Sequence, residues 1–204
     1  MQIFVCGTGT DVGKTIICSW LCLKTQYEYF KPIQTGANDV TDSQIIHEIS
    51  GTKVHNEIYS FAHPLSPHAA AHLEKKEINM NNIILPQSQN LIIEGAGGVM
   101  VPLNNKHLML DLMEFLNKPV IVVTKSELGT INHTLLTLEV LKRRKIQILG
   151  VIMNGPYNSV NKQAIEFYGN VSVLAEMPFL NQVNREALER IPLSKSLQTI
   201  FNCN

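Results

Sequence analysis

Short runs of aliphatic residues recur along this 204-residue chain, and they restrict its fold more than any other feature. The runs are rich in Ile and Val and lack alternating polar residues, which is typical of strands buried on both faces. Each run ends in glycine, an acid or a polar residue, and most precede a helical pattern. This alternation predicts a doubly wound α/β fold, a mainly parallel sheet with helices on both faces. The predicted strands are 3–6, 29–33, 91–93, 120–124, 148–153 and 171–175, and the predicted helices are 13–24, 42–49, 131–143 and 161–168.

Composition restricts the cellular location and the classes of binding partner that we expect for this protein. Lys and Arg total 17, as do Asp and Glu, so the net charge is zero and gives no general attraction for nucleic acid or anionic lipid. The four cysteines show no metal-cluster spacing, and the first apolar run breaks at Gly7, far too early for a membrane span. No repeat or Pro/Ser-rich linker divides the chain. We therefore expect one cytoplasmic domain over 1–204, without nucleic-acid or membrane partners.

Small, polar and charged residues follow five successive predicted strands. Since the carboxyl ends of parallel strands meet at one edge of a sheet, these residues are expected to form one ligand site. The five segments are GTGTDVGKT (7–15), KPIQTG (31–36), EGAGG (94–98), KSELGTINH (125–133) and MNGP (153–156).

The first of these segments resembles a phosphate-binding loop with one glycine displaced. The pattern G-x-x-x-x-G-K-[ST] places its first glycine five residues before Gly13, where this chain has Thr8, and the glycine stands at Gly7 instead. In such a loop the backbone N–H groups converge on an anion at a helix start. Lys14 would reach the β- and γ-phosphates, and the Thr15 hydroxyl would bind Mg²⁺. A plain strand–turn–helix junction is the alternative, but Gly-Lys-Thr after an N-terminal strand favours a variant phosphate loop.

Two acids and a second lysine are candidates for the same site. Glu94 directly follows Leu-Ile-Ile, where an unpaired charge would be costly to bury, so we expect a metal or cationic partner unless the acid is solvated. Asp42 opens a predicted helix and could be its N-cap, a metal ligand or both. Lys31 ends a strand and precedes proline, so it should point into the crevice. There it could neutralise charge on a transferred phosphoryl group, or it could be a salt-bridged lysine at the sheet edge.

Taken together, the segments resemble those of the dethiobiotin synthetases, ATP-dependent ligases of biotin synthesis. The resemblance covers most of the chain through GTGTDVGKT, KPIQTG, FAHPLSPHAA, EGAGG with a following VPL, GTINH and AEMP, in that order. It implies a homodimeric P-loop α/β fold that uses ATP and Mg²⁺ to make a cyclic urea from 7,8-diaminopelargonic acid and CO₂. The implied route is a carbamate on one amine, its phosphorylation by ATP, and ring closure by the other amine.

The resemblance also implies roles for individual residues. The catalytic residues would be Lys31, Lys14 and Thr10, and the Mg²⁺ ligands Thr15, Asp42 and Glu94. The nucleotide would contact Asp11, Val12, Gly13, Lys14, Thr15, Ile16, Asp42, Glu94, Gly95, Ala96 and Gly97, with Asn154 at the purine edge and Pro178 near the base. The substrate would contact Thr35, Gly129, Thr130, Ile131 and Asn132. The last four begin a predicted helix, whose N–H groups should point into the crevice and favour the substrate carboxylate. Alternatively, Asn132 and His133 only stabilise the first turn.

Two other classes of function compete with this interpretation. Another P-loop ligase that forms amides would be expected to bring an ammonia-producing domain. A nucleotide-switch ATPase that positions cargo would be expected to carry a lysine near the start of the loop, where this chain has Thr8. A pure binding module has no need for two lysines and two acids around one phosphate.

Overall fold

The structure is a computed structural model that describes residues 1–203. Its strands are β1 (Gln2–Gly7), β2 (Glu28–Phe30), β3 (Ile33–Thr35), β4 (Val54–His55), β5 (Tyr59–Phe61), β6 (Leu91–Gly98), β7 (Val120–Lys125), β8 (Ile148–Asn154) and β9 (Val173–Met177). Its helices are α1 (Lys14–Thr25), α2 (Asp42–Ser50), α3 (Pro67–Leu73), α4 (Met109–Leu116), α5 (Thr130–Arg143), α6 (Ser159–Gly169), α7 (Arg185–Glu189) and α8 (Lys195–Phe201). Within residues 1–203, no helix is long and apolar enough to cross a membrane.

Seven strands form one parallel sheet in the order β4-β2-β6-β1-β7-β8-β9. The other two, β3 and β5, pair in parallel in a small second sheet. Helices cover both faces of the large sheet, and the predicted doubly wound α/β fold is therefore confirmed.

The core has one apolar layer on each face of the large sheet. In β1, Phe4 and Cys6 pack into the layer beneath α3 to α6, while Ile3 and Val5 pack into the layer beneath α1, α2, α7 and α8. Burying an aliphatic or aromatic side chain contributes about 1.5–3 kcal/mol, so a strand apolar on both sides stabilises both layers. This is why the strands read as continuous aliphatic runs.

The predicted strand over residues 29–33 is wrong in one respect. It is broken after Phe30, and the chain resumes as β3 at Ile33 in the second sheet. Pro32 has no N–H to continue the ladder, and its ring restricts the residue before it. The break leaves Lys31 at the end of β2, an interior strand of the large sheet.

The register of β6 places an acid beside two other strand ends. Glu94 pairs with Val5 of β1, and the preceding Ile93 pairs with Phe30 of β2. Lys31 follows Phe30, so the register brings it level with Glu94. The phosphate-loop candidate follows β1 on the other side. Parallel pairing thus gathers three predicted site elements from distant parts of the sequence.

Candidate active site

The packing of the loop between β1 and α1 explains why its first glycine is at Gly7 rather than at position 8. A Cβ on Gly7 would lie 2.7 Å from Cγ2 of Val12 and 2.9 Å from the carbonyl oxygen of Gly9, so no side chain fits there. Thr8, at the usual glycine position, is accommodated and donates its hydroxyl to Thr124 at 3.2 Å. Inside the loop, the buried Lys14 Nζ donates to the Gly9 carbonyl at 3.0 Å. The first glycine of this loop lies one residue earlier than in the usual pattern because Val12 packs against the chain at Gly7.

Asn154, the last residue of β8, contacts the second half of the loop. The Asn154 Nδ2 donates to the Val12 carbonyl at 3.1 Å. Gly13 has φ +93°, and a Cβ there would lie only 2.1 Å from the Asn154 amide nitrogen. Glycine is therefore required at Gly13 both by the left-handed backbone and by this close approach. Asn154, predicted at the purine edge, also fixes the phosphate loop.

Thr15, Lys31, Asp42 and Glu94 form one cluster, in which Lys31 and Glu94 are buried and Thr15 and Asp42 are half-buried. The Lys31 Nζ forms ion pairs with Oδ2 of Asp42 and with Oε1 of Glu94, the latter at 3.1 Å. The Thr15 hydroxyl donates to Oδ1 of Asp42 at 2.5 Å and lies 3.4 Å from Oε1 of Glu94. Lys31 and Glu94 are only 5% and 1% exposed. The three predicted metal ligands thus meet, with Lys31 among them.

Two alternatives left open by the sequence are wrong. Asp42 is not the N-cap of α2, because Thr41 caps this helix in a capping box with Gln44. Nor is Glu94 a solvated acid at a strand end, since β6 continues to Gly98 and the carboxylate is buried. Lys31 is salt-bridged, but inside the site rather than at the sheet edge.

The charges of the cluster support one another. Burial by itself lowers the pKa of Lys31, but the carboxylates of Glu94 and Asp42 outweigh it and hold that pKa above its ordinary value. Burial raises the pKa of Asp42, yet Lys31 and the Thr15 hydrogen bond bring it below its usual range. The pKa of Lys14 is lowered, chiefly by burial and further by the charge of Lys31, with Glu94 opposing both.

This oxygen set suits a magnesium ion. Mg²⁺ prefers oxygen ligands and is usually held by one or two carboxylates together with water and phosphate oxygens. Thr15, Asp42 and Glu94 offer one hydroxyl and two carboxylates around a common point. No group of three His, Cys, Asp or Glu residues within positions 1–203 could hold a metal ion alone. A metal here would therefore need the hydroxyl and the phosphate oxygens.

Three clefts lie side by side along the carboxyl ends of the strands. The central one, about 820 Å³, is lined by residues of the phosphate loop and of the acid–lysine cluster. A second, about 300 Å³, contains Asn154 and Pro178 and shares Ile16 with the central cleft. A third, about 450 Å³ and mostly apolar, shares Thr10 and Val101 with it. We call these the phosphate cleft, the side cleft and the apolar cleft.

Most of the predicted site residues line these clefts. The phosphate cleft is lined by Thr10, Asp11, Gly13, Lys14, Thr15, Ile16, Lys31, Thr35, Asp42, Glu94, Ala96 and Gly97. Val12 and Gly95 lie behind it: Val12 is buried and offers its carbonyl to Asn154, while Gly95 packs against the ring of Phe4.

The start of α5 corrects one expectation. It does not point into the phosphate cleft. Gly129 is exposed, and the Thr130 hydroxyl turns inward to Thr124 at 2.9 Å. Ile131 packs against the core, and only Asn132 lines a cleft, the apolar one. The segment after Lys125 leaves the sheet edge before the helix begins, and sequence alone does not fix its direction.

Some residues of the site were missed by sequence reasoning. The buried Tyr29 donates its hydroxyl to Oε2 of Glu94 at 2.9 Å, and burial raises the pKa of this phenol. Tyr29 stands two residues before Lys31, a spacing that places both on one side of a strand and could have found it. Gln34 also lines the phosphate cleft, and within residues 1–203 its buried Oε1 has no hydrogen-bond partner. Residues 64–67, which belong to the FAHPLSPHAA segment, also line the cleft.

The parallel sheet, the glycine loop, the buried Lys14 and the half-buried Thr15 define a P-loop nucleotide-binding protein. Its fold is similar to that of the cell-division ATPase MinD from Pyrococcus furiosus, with TM-score 0.62 and 18% identity over 99% of this chain and 96% of that one. The MinD structure from Pyrococcus horikoshii, solved with Mg-ADP, gives TM-score 0.60 and 19% identity over 99% and 93%. A family described as an AAA domain matches residues 1–187.

Sequence relatives define the family within this class. The ATP-dependent dethiobiotin synthetase of Lawsonia intracellularis is 54% identical over 98% of this chain and 99% of its own length. Those of Paramagnetospirillum magneticum and Neorickettsia sennetsu are 46% and 37% identical, over 93% and 98% of this chain and 94% and 96% of their own lengths. The chain belongs to the dethiobiotin synthetase family, which confirms the resemblance seen in its motifs.

The packing of the loop predicts unequal effects for its first two glycines. Gly7→Ala should abolish ATP binding, because the new methyl group collides with Val12 and the Gly9 carbonyl. Gly9→Ala is the matched control, since a Cβ there meets only Val12 at 4.0 Å. Calorimetric titration with ATP and Mg²⁺ measures both. Equal affinities for the two variants would contradict this account of the loop.

The buried ion pairs predict a large loss of stability for Lys31→Met. Removing one partner leaves buried carboxylates unpaired, which typically costs about 3–5 kcal/mol. Lys53→Met is the control, because Lys53 is largely exposed and its 3.5 Å pair with Glu28 should contribute about 0–1 kcal/mol. Urea unfolding without metal or nucleotide gives the free energy of unfolding of both. Similar losses would show that the Lys31 cluster is not a buried electrostatic unit.

Proposed function

We propose that this chain catalyses the ATP-dependent conversion of 7,8-diaminopelargonic acid and CO₂ to dethiobiotin, ADP and phosphate. The activity is the one named for its relatives. In this structure the main support for the proposed activity is the position of Lys31. This buried cation lies at the end of β2, whereas Lys14 follows β1. Both line one cleft, and that cleft continues into an apolar one.

ATP would lie across the phosphate cleft and the side cleft. Lys14 and the loop N–H groups would hold the β- and γ-phosphates, with Thr10 and Asp11 at the mouth of the loop. The base would enter the side cleft between Asn154 and Pro178, which Ile16 joins to the phosphates. A magnesium ion held by Thr15, Asp42 and Glu94 would neutralise phosphate charge as it builds in the transition state.

The substrate would lie on the other side of the phosphates. Its hydrocarbon chain suits the apolar cleft, which is lined by residues such as Val99, Met100 and Leu136. Its two amines would then reach the phosphate cleft near Thr35 and Lys31. The reaction requires this arrangement, in which the apolar chain lies in an apolar cleft and the amines lie beside the phosphates.

Each step can be balanced with these groups. One amine adds to CO₂, loses a proton and becomes a carbamate. A carbamate oxygen attacks the γ-phosphorus, the bond to ADP breaks, and a carbamic-phosphoric anhydride forms. The second amine then attacks the carbonyl carbon and gives a proton to solvent, the bond from that carbon to the phosphate oxygen breaks, and phosphate leaves as the ring closes. Lys31 would bridge the carbamate oxygen and the γ-phosphate, since both are negative and repel each other.

We further propose that the chain acts as a homodimer with the active site near the interface. Gly129, Thr130, Ile131 and Asn132 would bind the substrate carboxylate at the start of α5, which lies away from the phosphate cleft of its own chain. Large exposed apolar residues nearby, Leu136 on α5 with Phe167 and Tyr168 on α6, support a protein–protein contact. The four cysteines are free thiols, as expected for the cytoplasm, the location that we propose.

An assay with components omitted tests this function. Purified protein with ATP, Mg²⁺, bicarbonate and diaminopelargonate should release ADP, and omission of the diamine or of bicarbonate should abolish that release. A nucleotide switch would hydrolyse ATP without either. An amide ligase would require ammonia or a carboxylate co-substrate instead. ADP release that ignores the diamine would contradict the proposal.

The role of Lys31 predicts a split between turnover and ATP affinity. Lys31→Gln should lower kcat by about 10²–10³, the typical loss for one electrostatic stabiliser. ATP affinity should change far less, because the loop and Lys14 hold the nucleotide. Steady-state kinetics and ATP titration measure the two, with Lys53→Gln as the control. Weakened ATP binding with normal kcat would assign Lys31 to the nucleotide instead.

A further inference from the structure

The Lys31 ammonium contacts the carboxylate oxygens of Asp42 and Glu94 that a metal ion at this site would use as ligands. The hydroxyl of the buried Tyr29 donates to Oε2 of Glu94 at 2.9 Å, while Oε1 is the oxygen on the side of Thr15 and Lys31. That oxygen is the one that Lys31 contacts at 3.1 Å and that Thr15 approaches at 3.4 Å. A cation that binds this oxygen therefore competes with Lys31 for it.

Asp42 presents the same competition. Its Oδ1 accepts the Thr15 hydroxyl at 2.5 Å, and its Oδ2 is paired with Lys31. Lys31 thus neutralises the buried Glu94 carboxylate and the partly exposed Asp42 carboxylate, and a carboxylate buried without a cation is strongly unfavourable. An ammonium and a divalent ion on the same oxygens would repel each other at close range.

We propose that Lys31 is the resident cation of the Asp42–Glu94 pair, and that a magnesium ion arriving with ATP displaces it. This rests on the proposed metal role of the two acids. Displacement frees the ammonium from both carboxylates while it remains at the end of β2, beside the phosphate cleft. Lys31 then turns to the phosphate and carbamate oxygens. The catalytic lysine is therefore released only when metal and nucleotide are in place, and the acids always have a cation.

Lys14 offers a matched comparison. It is a buried lysine of the same cleft, but its Nζ donates to the Gly9 carbonyl, and it forms no ion pair within residues 1–203. Removing Lys14 takes one positive charge from the cleft without uncovering either carboxylate. Removing Lys31 takes the same charge and uncovers both. Comparing metal binding by the two variants therefore separates two effects. One is the loss of the ammonium that occupies the carboxylates, and the other is the loss of a positive charge from the cleft.

Binding of Mn²⁺ without nucleotide, followed by electron paramagnetic resonance, tests the proposal. Lys31→Met should bind Mn²⁺ at least about tenfold more tightly than the wild type, or about 1.4 kcal/mol, and Lys14→Met no more than about threefold. Adding Glu94→Gln to Lys31→Met should remove the gain. Equal gains for the two lysine variants, no gain, or a gain that survives Glu94→Gln would each overturn the proposal.

A measurement on the wild type covers the case in which Lys31→Met does not fold. Crystal structures would be solved without metal and with Mg²⁺ and a non-hydrolysable ATP analogue. The Lys31 Nζ should contact both carboxylates in the first and lie beyond roughly 4 Å, the limit of an ion pair, from both of them in the second. Lysine contacts unchanged beside a bound metal would overturn the displacement. The omission assay decides the proposed function separately, because it does not depend on where Lys31 rests.

Discussion

The buried ion pairs that Lys31 makes with Asp42 and Glu94 are the interaction on which the site depends. They join the end of β2, the first turn of α2 and the middle of β6, three segments distant in sequence. Buried charges are tolerated only when paired and hydrogen-bonded, and here every member has a partner. Tyr29 and Thr15 complete the pairing, and Thr15 connects it to the phosphate loop. The electrostatic cluster thus fixes how the loop, the acids and the second lysine face one another.

Much of this arrangement could be predicted from sequence, because its causes are local. Aliphatic runs buried on both sides predicted the parallel sheet, and Gly-Lys-Thr after the first strand predicted the loop. An acid directly after Leu-Ile-Ile predicted a buried charge that needs a partner, and Glu94 has one. Lys31 was predicted to face the crevice from its place directly before Pro32, although the predicted strand ran on to Ile33.

The rest depended on tertiary geometry that no local pattern contains. The direction of α5 is set by the segment between Lys125 and Thr130, which carries no periodicity. The break between β2 and β3 moves the chain into a second sheet, whose partner β5 has only three residues and little period to detect. The cap of α2 is an exception, because Thr41 and Gln44 form a local capping-box pattern and only Asp42 was considered from the sequence. The displaced glycine became explicable only once Val12 was seen against Gly7.

We propose that the three adjoining clefts bring ATP and an apolar diamine together, so that a carbamate oxygen attacks the γ-phosphate. Isotope transfer tests this most directly. With ¹⁸O-labelled CO₂, diamine, ATP and Mg²⁺, and sampling before the label exchanges with water, the released phosphate should carry one labelled oxygen per ring closed. Phosphate that takes its new oxygen from water would show hydrolysis of ATP rather than activation of a carbamate, and would contradict the account.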